Sequence, residues 1–581
     1  MAGVVGAWPN WIFPFGSLPY YNTANYQDFI DLMYRPLYLF GGNNDSVTVN
    51  YSLSTATAPV YRDGGRVVLI SLKRWKWSDG EQVDAADVVF WLNMDEAEKQ
   101  NWPGYMKGGI PDNLVSYHAV GLHTVVLELT RPYGSTWFTY NELAQISPMP
   151  LAWDITRMGA APGSGGCVQD TAADHWARCR AVYEFLIAEA KDLHTYTATS
   201  PLWSVVDGPW RLRSFSIAGN ATLVPNRQYS GWPRPALAAL RFVSYSNEAA
   251  AFAALQAGQV DVAVIPQQDL PPRAAGSLLP AKNSLGRGFY LQPVYNFGIN
   301  YYTLDFQDQP DSALFSQLYF RQALQELTNQ QAIIRISYGG YAIPTTGGVP
   351  SMPRSGWVSA DMTANKGAGL YPYDPARAET LLAAHGWSVV NGTLTCERPG
   401  DLPSECGAGI GRGRTANLGF AAAWSDGPVQ PSQSPMGIVR TDLAAAGIRV
   451  SVSYPVTLIG PAPCAAPDCS AAMQYVGGWE FDGPGYAPTG EPLFQTDASW
   501  NFGLYSSAQM NSLISAAQTS NRQSAFHAYA NYTATQLPVI WLPDSYSVVA
   551  VSKRLRGVAQ SPLSSFYPEY WFFTSASRRS R

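Results

Sequence analysis

Sixteen consecutive positions, Trp75 to Phe90, restrict the fold more than any other stretch of this chain. Upstream of them, Val67, Val68, Leu69, Ile70 and Leu72 form an apolar run that predicts a largely buried strand. Ser78-Asp79-Gly80 predicts a tight turn, because glycine supplies the backbone freedom that a turn often needs. Asp84 then stands where a helix N-cap belongs. Asp87, three residues on, falls in the positive end of a helix running through Val88, Val89, Phe90, Leu92 and Met94. The unit reads as strand, turn and helix, and its residues are expected to be scaffold rather than a binding surface.

A chain of 581 residues can bury several cores, and two to four lobes are expected at about 150 residues each. Charged residues make up 14%, against an average of about 25%, and the net charge is -5. That balance argues against a nucleic-acid partner, which would require a basic surface. Aromatic residues reach 13%, with 19 Trp and 33 Tyr. They suit the walls of ligand clefts, although large cores use the same side chains.

No run approaches the roughly 20 apolar residues that span a bilayer, and Met1 leads into Ala2-Gly3-Val4-Val5 without a basic segment. A soluble protein and one whose signal sequence has been removed both fit. The six cysteines favour the second, since they fall in close pairs, Cys167 with Cys179, Cys396 with Cys406, and Cys464 with Cys469. Local pairs in Gly/Pro-rich or polar segments suit short disulfides formed in an oxidising compartment. Zinc is the competing reading, weakened by the absence of any CxxC.

Further along, helices and strands alternate without a short repeat. Asn247 to Gly258 is an Ala-rich helix closed by glycine and followed by the strand Val260 to Ile265. Phe315 to Gly339 is helical in period, Asp374-Pro375 opens a helix that Gly386 ends, and Arg440 to Ala446 leads through Gly447 into the strand Ile448 to Tyr454. This pattern predicts α/β lobes with mixed sheets, interrupted by loop-rich insertions at about 155–180 and 391–415.

Several segments occur in an order that resembles the family 5, peptide-binding type of ABC-transporter extracellular solute-binding proteins, which includes oligopeptide, dipeptide and nickel binders. Tyr26 to Leu37, with its Arg35-Pro36-Leu37 end, is similar to the family's early helix and strand entry, and Trp75 to Phe90 is similar to its signature. Asp207 to Leu212, Pro225 to Tyr229, Ala257 to Val262, Phe320 to Ala323, Tyr373 to Ala378, Ala446 to Ile448 and Gly478 to Asp482 follow in family order. Each is weak alone; their common order over residues 20–560 carries the resemblance.

The resemblance implies a periplasmic-binding-protein-like α/β fold: two lobes around a ligand cleft, closing by hinge motion. Lobe I is expected at 1–50, 196–290 and 541–581, its inserted subdomain at 51–195, and lobe II at 291–540. It further implies oligopeptide capture as an added strand through main-chain hydrogen bonds, delivery to ABC-transporter permease subunits, no cofactor, and a monomer outside the cytoplasm, in the periplasm or on the cell surface with a lipid anchor.

Asp482 is the leading site residue, since peptide binders of this family pair a carboxylate in a Gly-Trp-x-x-Asp context with the ligand's ammonium, and Gly478-Trp479-Glu480-Phe481-Asp482 is similar. An ammonium taken into a closed site needs such a partner. A turn aspartate before Gly483-Pro484 is the competing reading. Glu480 is a neighbouring acid, and Trp479 is either a cleft wall or core. Dipeptide binders of the family place an arginine where this chain has Trp424-Ser425-Asp426. The carboxylate of Asp426 would repel a peptide C-terminus, so a dipeptide clamp is not expected. Tyr20 and Tyr21 fall where the family's first lobe edges its cleft, and Trp500 and Asn501 are second-rank candidates. Oligosaccharides or other organic solutes form the alternative cargo, because Trp-rich clefts also stack on sugar rings.

An enzyme is the rival class. The six histidines, at 118, 123, 175, 194, 385 and 527, form no HExxH, and no Gly-x-Ser-x-Gly elbow or phosphate loop is present. Glu480 and Asp482 stand two apart on one strand, side by side rather than flanking a sugar as a glycoside hydrolase requires. No catalytic activity is expected.

Overall fold

The computed structural model describes residues 1–5, 9–20, 25, 29–42, 47–294, 296–307, 311–422, 432–453, 473–475, 477–481, 485–558 and 567–574. It is a mixed α/β structure, as the alternating pattern predicts. Contacts divide it into two compact units, one comprising 1–295, 482–487 and 547–581, the other 296–481 and 488–546.

The first unit is built on a seven-stranded mixed sheet. Ala2–Val5 lies inside it, parallel to Leu240–Tyr245 and to Val262–Val264. Phe289–Val294 and Ser547–Ser552 form its antiparallel margin on one side, and Ala221–Pro225 with Trp210–Phe215 on the other. A separate antiparallel sheet takes Val60–Arg62, Val67–Ser71, Thr124–Leu129 and Leu114–Val120 in that spatial order.

Against this second sheet stands the helix Ala85–Glu98. Its start follows the sequence expectation: Asp84 accepts from the Ala86 N–H, and Asp87 accepts from the Asp84 N–H at 3.0 Å, which closes a capping box. Asp87 also accepts the Trp77 indole N–H at 2.9 Å. The signature thus folds back on itself, tying the end of its strand to the beginning of its helix. Burial holds the Asp87 carboxyl well above the usual carboxylate range.

In the second unit Gly298–Leu304, buried along its whole length, is the hub of the sheet. It pairs antiparallel with Met473–Tyr475, Trp479–Glu480 and Val539–Leu542, while Asn417–Ala422 runs parallel to Arg449–Ser453 and Met473–Tyr475. Helices Leu318–Glu326, Pro375–Ala384 and Pro435–Ala445 bring Phe320, Leu324, Leu382 and Leu443 into a core with Tyr302, Phe420 and Leu542.

Cys167 with Cys179 and Cys396 with Cys406 are disulfides, which removes the zinc reading for both pairs. Cys464 and Cys469 lie outside the described residues. The insertion at 391–415 is not all loop: Thr393–Cys396 forms a hairpin with Trp387–Val390, too short to leave a clear alternating pattern. The aromatic excess goes mainly into the cores; Trp11, Trp77, Trp91, Trp153, Trp203, Trp210 and Trp541 are among the largest fully buried side chains.

Candidate functional site

Two glycines shape the neighbourhood of Trp479. Gly298 pairs with Glu480 and Ile299 with Trp479, so this short strand lies at one end of the hub strand. Gly478 adopts φ +84°, and a Cβ there would stand 2.4 Å from the Ile299 carbonyl oxygen. A Cβ on Gly298 would lie 2.8 Å from the Trp479 carbonyl. Only bare backbone fits between these strands.

The half-buried Trp479 ring meets Trp500 at 5.4 Å and 62°, and Trp500 meets Phe502 at 5.7 Å, so three rings stand in series. Glu480 is exposed and accepts from the Asn296 side-chain amide. Phe481 is buried and packs against Phe297 at 6.0 Å. The structure therefore brings Gly478, Trp479, Glu480 and Trp500 together.

Asn501 is turned to another task. Its amide donates to the carbonyls of Gln495 and Tyr505, and its oxygen accepts the Tyr505 N–H at 3.0 Å, which makes it the staple of the loop that follows Trp500. Tyr20 belongs to the first unit, where it stacks on Trp11 at 4.7 Å and 21°. Tyr21, Trp424, Asp426 and Asp482 lie outside the described residues. Beyond Asp482 the chain is held within the first unit: Tyr486 stacks on Phe40 at 3.7 Å, and Ala487 exchanges two hydrogen bonds with the Asn141 side chain.

One acid near the hub strand was not singled out by its sequence context. Asn300 donates from its side chain to the Pro543 carbonyl at 2.8 Å, and Asp544 follows directly, in a two-residue strand paired with Ala342–Ile343. Burial alone pushes the Asp544 carboxyl up to about 7. Around the same strand, the Asn300 N–H donates to the Thr345 hydroxyl at 3.4 Å, and Thr345 exchanges backbone hydrogen bonds with the Gln330 side chain. The arrangement offers rings, acids and amide groups, a set suited to holding a polar organic solute. Among the described residues no group of three or more His, Cys, Asp or Glu is placed to hold a metal, and no helix is long and apolar enough to cross a membrane.

The profile of the bacterial extracellular solute-binding proteins, family 5 Middle, matches residues 50–486. The chain belongs to this family. A putative ABC transporter peptide-binding protein of Brucella ovis is 28% identical over 199 residues, which cover 34% of this chain and 33% of the relative. The glutathione-binding protein GsiB of Pectobacterium atrosepticum is 28% identical over 257 residues, 42% of each chain. These matches span a third to two fifths of the relatives' length. Among solved structures, the oligopeptide-binding protein AppA of Bacillus subtilis, in complex with a nonapeptide, superposes with a TM-score of 0.67 over 99% of both chains at 18% identity. The whole described fold is thus that of the family 5 proteins, as the ordered motifs implied.

Proposed function

We propose that this chain is the extracytoplasmic substrate-binding protein of an ABC importer, capturing oligopeptides in an interlobe cleft and delivering them to a membrane permease. The family profile across residues 50–486 carries the reading, and the fold shared with a nonapeptide-bound protein supports the peptide class. Lobe I takes 1–50, 196–290 and 541–581, the inserted subdomain 51–195, and lobe II 291–540. Asp482 receives the ligand's ammonium, with Gly478, Trp479, Glu480 and Trp500 beside it; Tyr20, Tyr21, Trp424 and Asp426 line the remainder. The chain acts as a monomer without catalysis, held at the cell surface or in the periplasm by a lipid anchor.

Oligosaccharides form the second reading, favoured by the Trp479, Trp500 and Phe502 series, since sugars stack on such rings. Thermal-shift screening separates the two. A ligand at 100 times its dissociation constant stabilises the folded state by about 2.7 kcal/mol. Mixed tri- to nonapeptides are expected to raise the melting temperature and cello- or maltooligosaccharides to leave it unchanged. Stabilisation by sugars alone would overturn the peptide assignment.

A further inference from the structure

We propose that Asp544 is a ligand-contacting carboxylate that takes a cationic group of the bound solute, an inference that rests on the solute-receptor reading above. Among the described residues no hydrogen bond or ion pair reaches its carboxyl, and burial is the whole of its perturbation. Several buried acids of this chain have partners, whereas Asp95, whose oxygens have none among the described residues, is sealed from solvent. Glu569 has Arg35, Glu326 has Arg377, and Asp87 has the Trp77 indole and a backbone N–H. Asp544 has no such partner, and unlike Asp95 the residue is only half-buried.

Its position is set from the hub strand. Asn300 of the hub strand fixes Pro543, immediately before Asp544, and Gly298, two residues along the same strand, pairs with Glu480. Two residues of strand advance by about 7 Å. Asp544 and Glu480 are therefore anchored at the same end of the hub strand, although they lie far apart in sequence. Tyr546 packs edge-on against Tyr341 at 5.8 Å and its N–H donates to the Tyr341 carbonyl, fixing the far side of Asp544. A carboxylate held rigidly in a half-buried position without a partner costs free energy that an incoming ammonium or guanidinium would recover.

The cation has two sources in a peptide, its N-terminus and a basic side chain, and isothermal titration of the full chain distinguishes them. The probes are trialanine, N-acetyl-trialanine and trilysine, titrated into wild type and Asp544→Asn. If Asp544 takes a side-chain ammonium, wild type prefers trilysine to trialanine by about ten-fold or more, and the variant brings that ratio to within about two-fold. If it takes the N-terminus in place of Asp482, the same collapse appears in the ratio of trialanine to its acetylated form. Asp544→Ser serves in place of the asparagine variant should the latter not fold. Wild type and variant binding the peptides with the same two ratios would overturn the role of Asp544 and leave the receptor reading intact. Wild type binding none of the three would overturn both.

Discussion

The pair that should reveal most about the first unit is Arg35 with Glu569. Arg35 Nη2 lies 2.5 Å from Glu569 Oε1, and the two side chains are 1% and 0% exposed. Burial pulls the Arg35 guanidinium down, but the charge and hydrogen bond of Glu569, together with Tyr229 and Asp31, more than offset it, leaving the cation more firmly charged than usual. The pair joins the Arg35-Pro36-Leu37 entry near the start of the chain to a turn near its end, 534 residues away. Glu569→Gln removes the negative charge and leaves a buried cation; breaking such a pair costs about 3–5 kcal/mol. The lower end of that range is expected here. Asp207 Oδ1 accepts the Arg35 backbone N–H at 3.0 Å, and its other oxygen has no partner among the described residues, so it can ionise and stand in for the lost carboxylate. Urea unfolding followed by tryptophan fluorescence at pH 7.5 should thus show a loss of about 3 kcal/mol with an unchanged slope. The double variant Arg35→Met/Glu569→Leu should recover most of it, because an apolar pair of similar volume leaves no charge stranded. A loss below about 1 kcal/mol in the single variant, or a double variant no better than the single, would refute the claim that the pair is dry and mutually dependent.

Asp207 sets a pH dependence of its own. Burial pushes its carboxyl up to about 7, against the pull of the Arg35 N–H and charge. Because the folded state then holds a proton that the unfolded chain releases near pH 4, this group's contribution to stability is complete below about pH 4 and is lost as pH rises towards 7. Asp207→Asn should therefore gain on wild type by up to about 1.4 kcal/mol per pH unit over that window, measured by urea titrations at pH 4.5, 5.5 and 6.5; parallel curves would show that Asp207 ionises normally. Gly478→Ala should cost at least about 2 kcal/mol and weaken peptide binding, since the new Cβ meets the Ile299 carbonyl and left-handed backbone disfavours alanine; unchanged melting and affinity would mean that the Trp479–Glu480 strand moves aside freely. Cys396→Ala/Cys406→Ala opens a loop of sequence separation 10 and should cost about 3 kcal/mol by unfolding midpoint. A loss under 1 kcal/mol would mean that the packing around Trp387 and Tyr319 holds the hairpin unaided.

What could be read directly from the chain was what is local in it. Asp84 caps a helix because its partners, the Ala86 N–H and Asp87, are two and three residues away, and the two described disulfides join cysteines separated by only 12 and 10 positions. Helix ends announced by Asn247, Asp374 and Gly447 carry their signals within one turn, and the structure uses all three. The candidate neighbourhood obeys no such rule. Trp479 and Trp500 are visible because tryptophan is conspicuous, but Asn501, beside them, looks equally available until its amide is seen holding the loop. Asp544 looks like an ordinary turn residue after Pro543, and its isolation emerges only when a strand begun nearly 250 residues earlier supplies Asn300 to fix Pro543. Asn141 gives no sign that it will grip Ala487, 346 positions away. Glycine is the exception that links the two scales. Gly478 and Gly298 look like flexible positions in sequence, yet each is required by a backbone atom of the other's strand. A candidate site assembled from three distant strands can therefore carry one local trace, a small residue where two backbones meet, and the acids and rings around such a glycine are the side chains to test first.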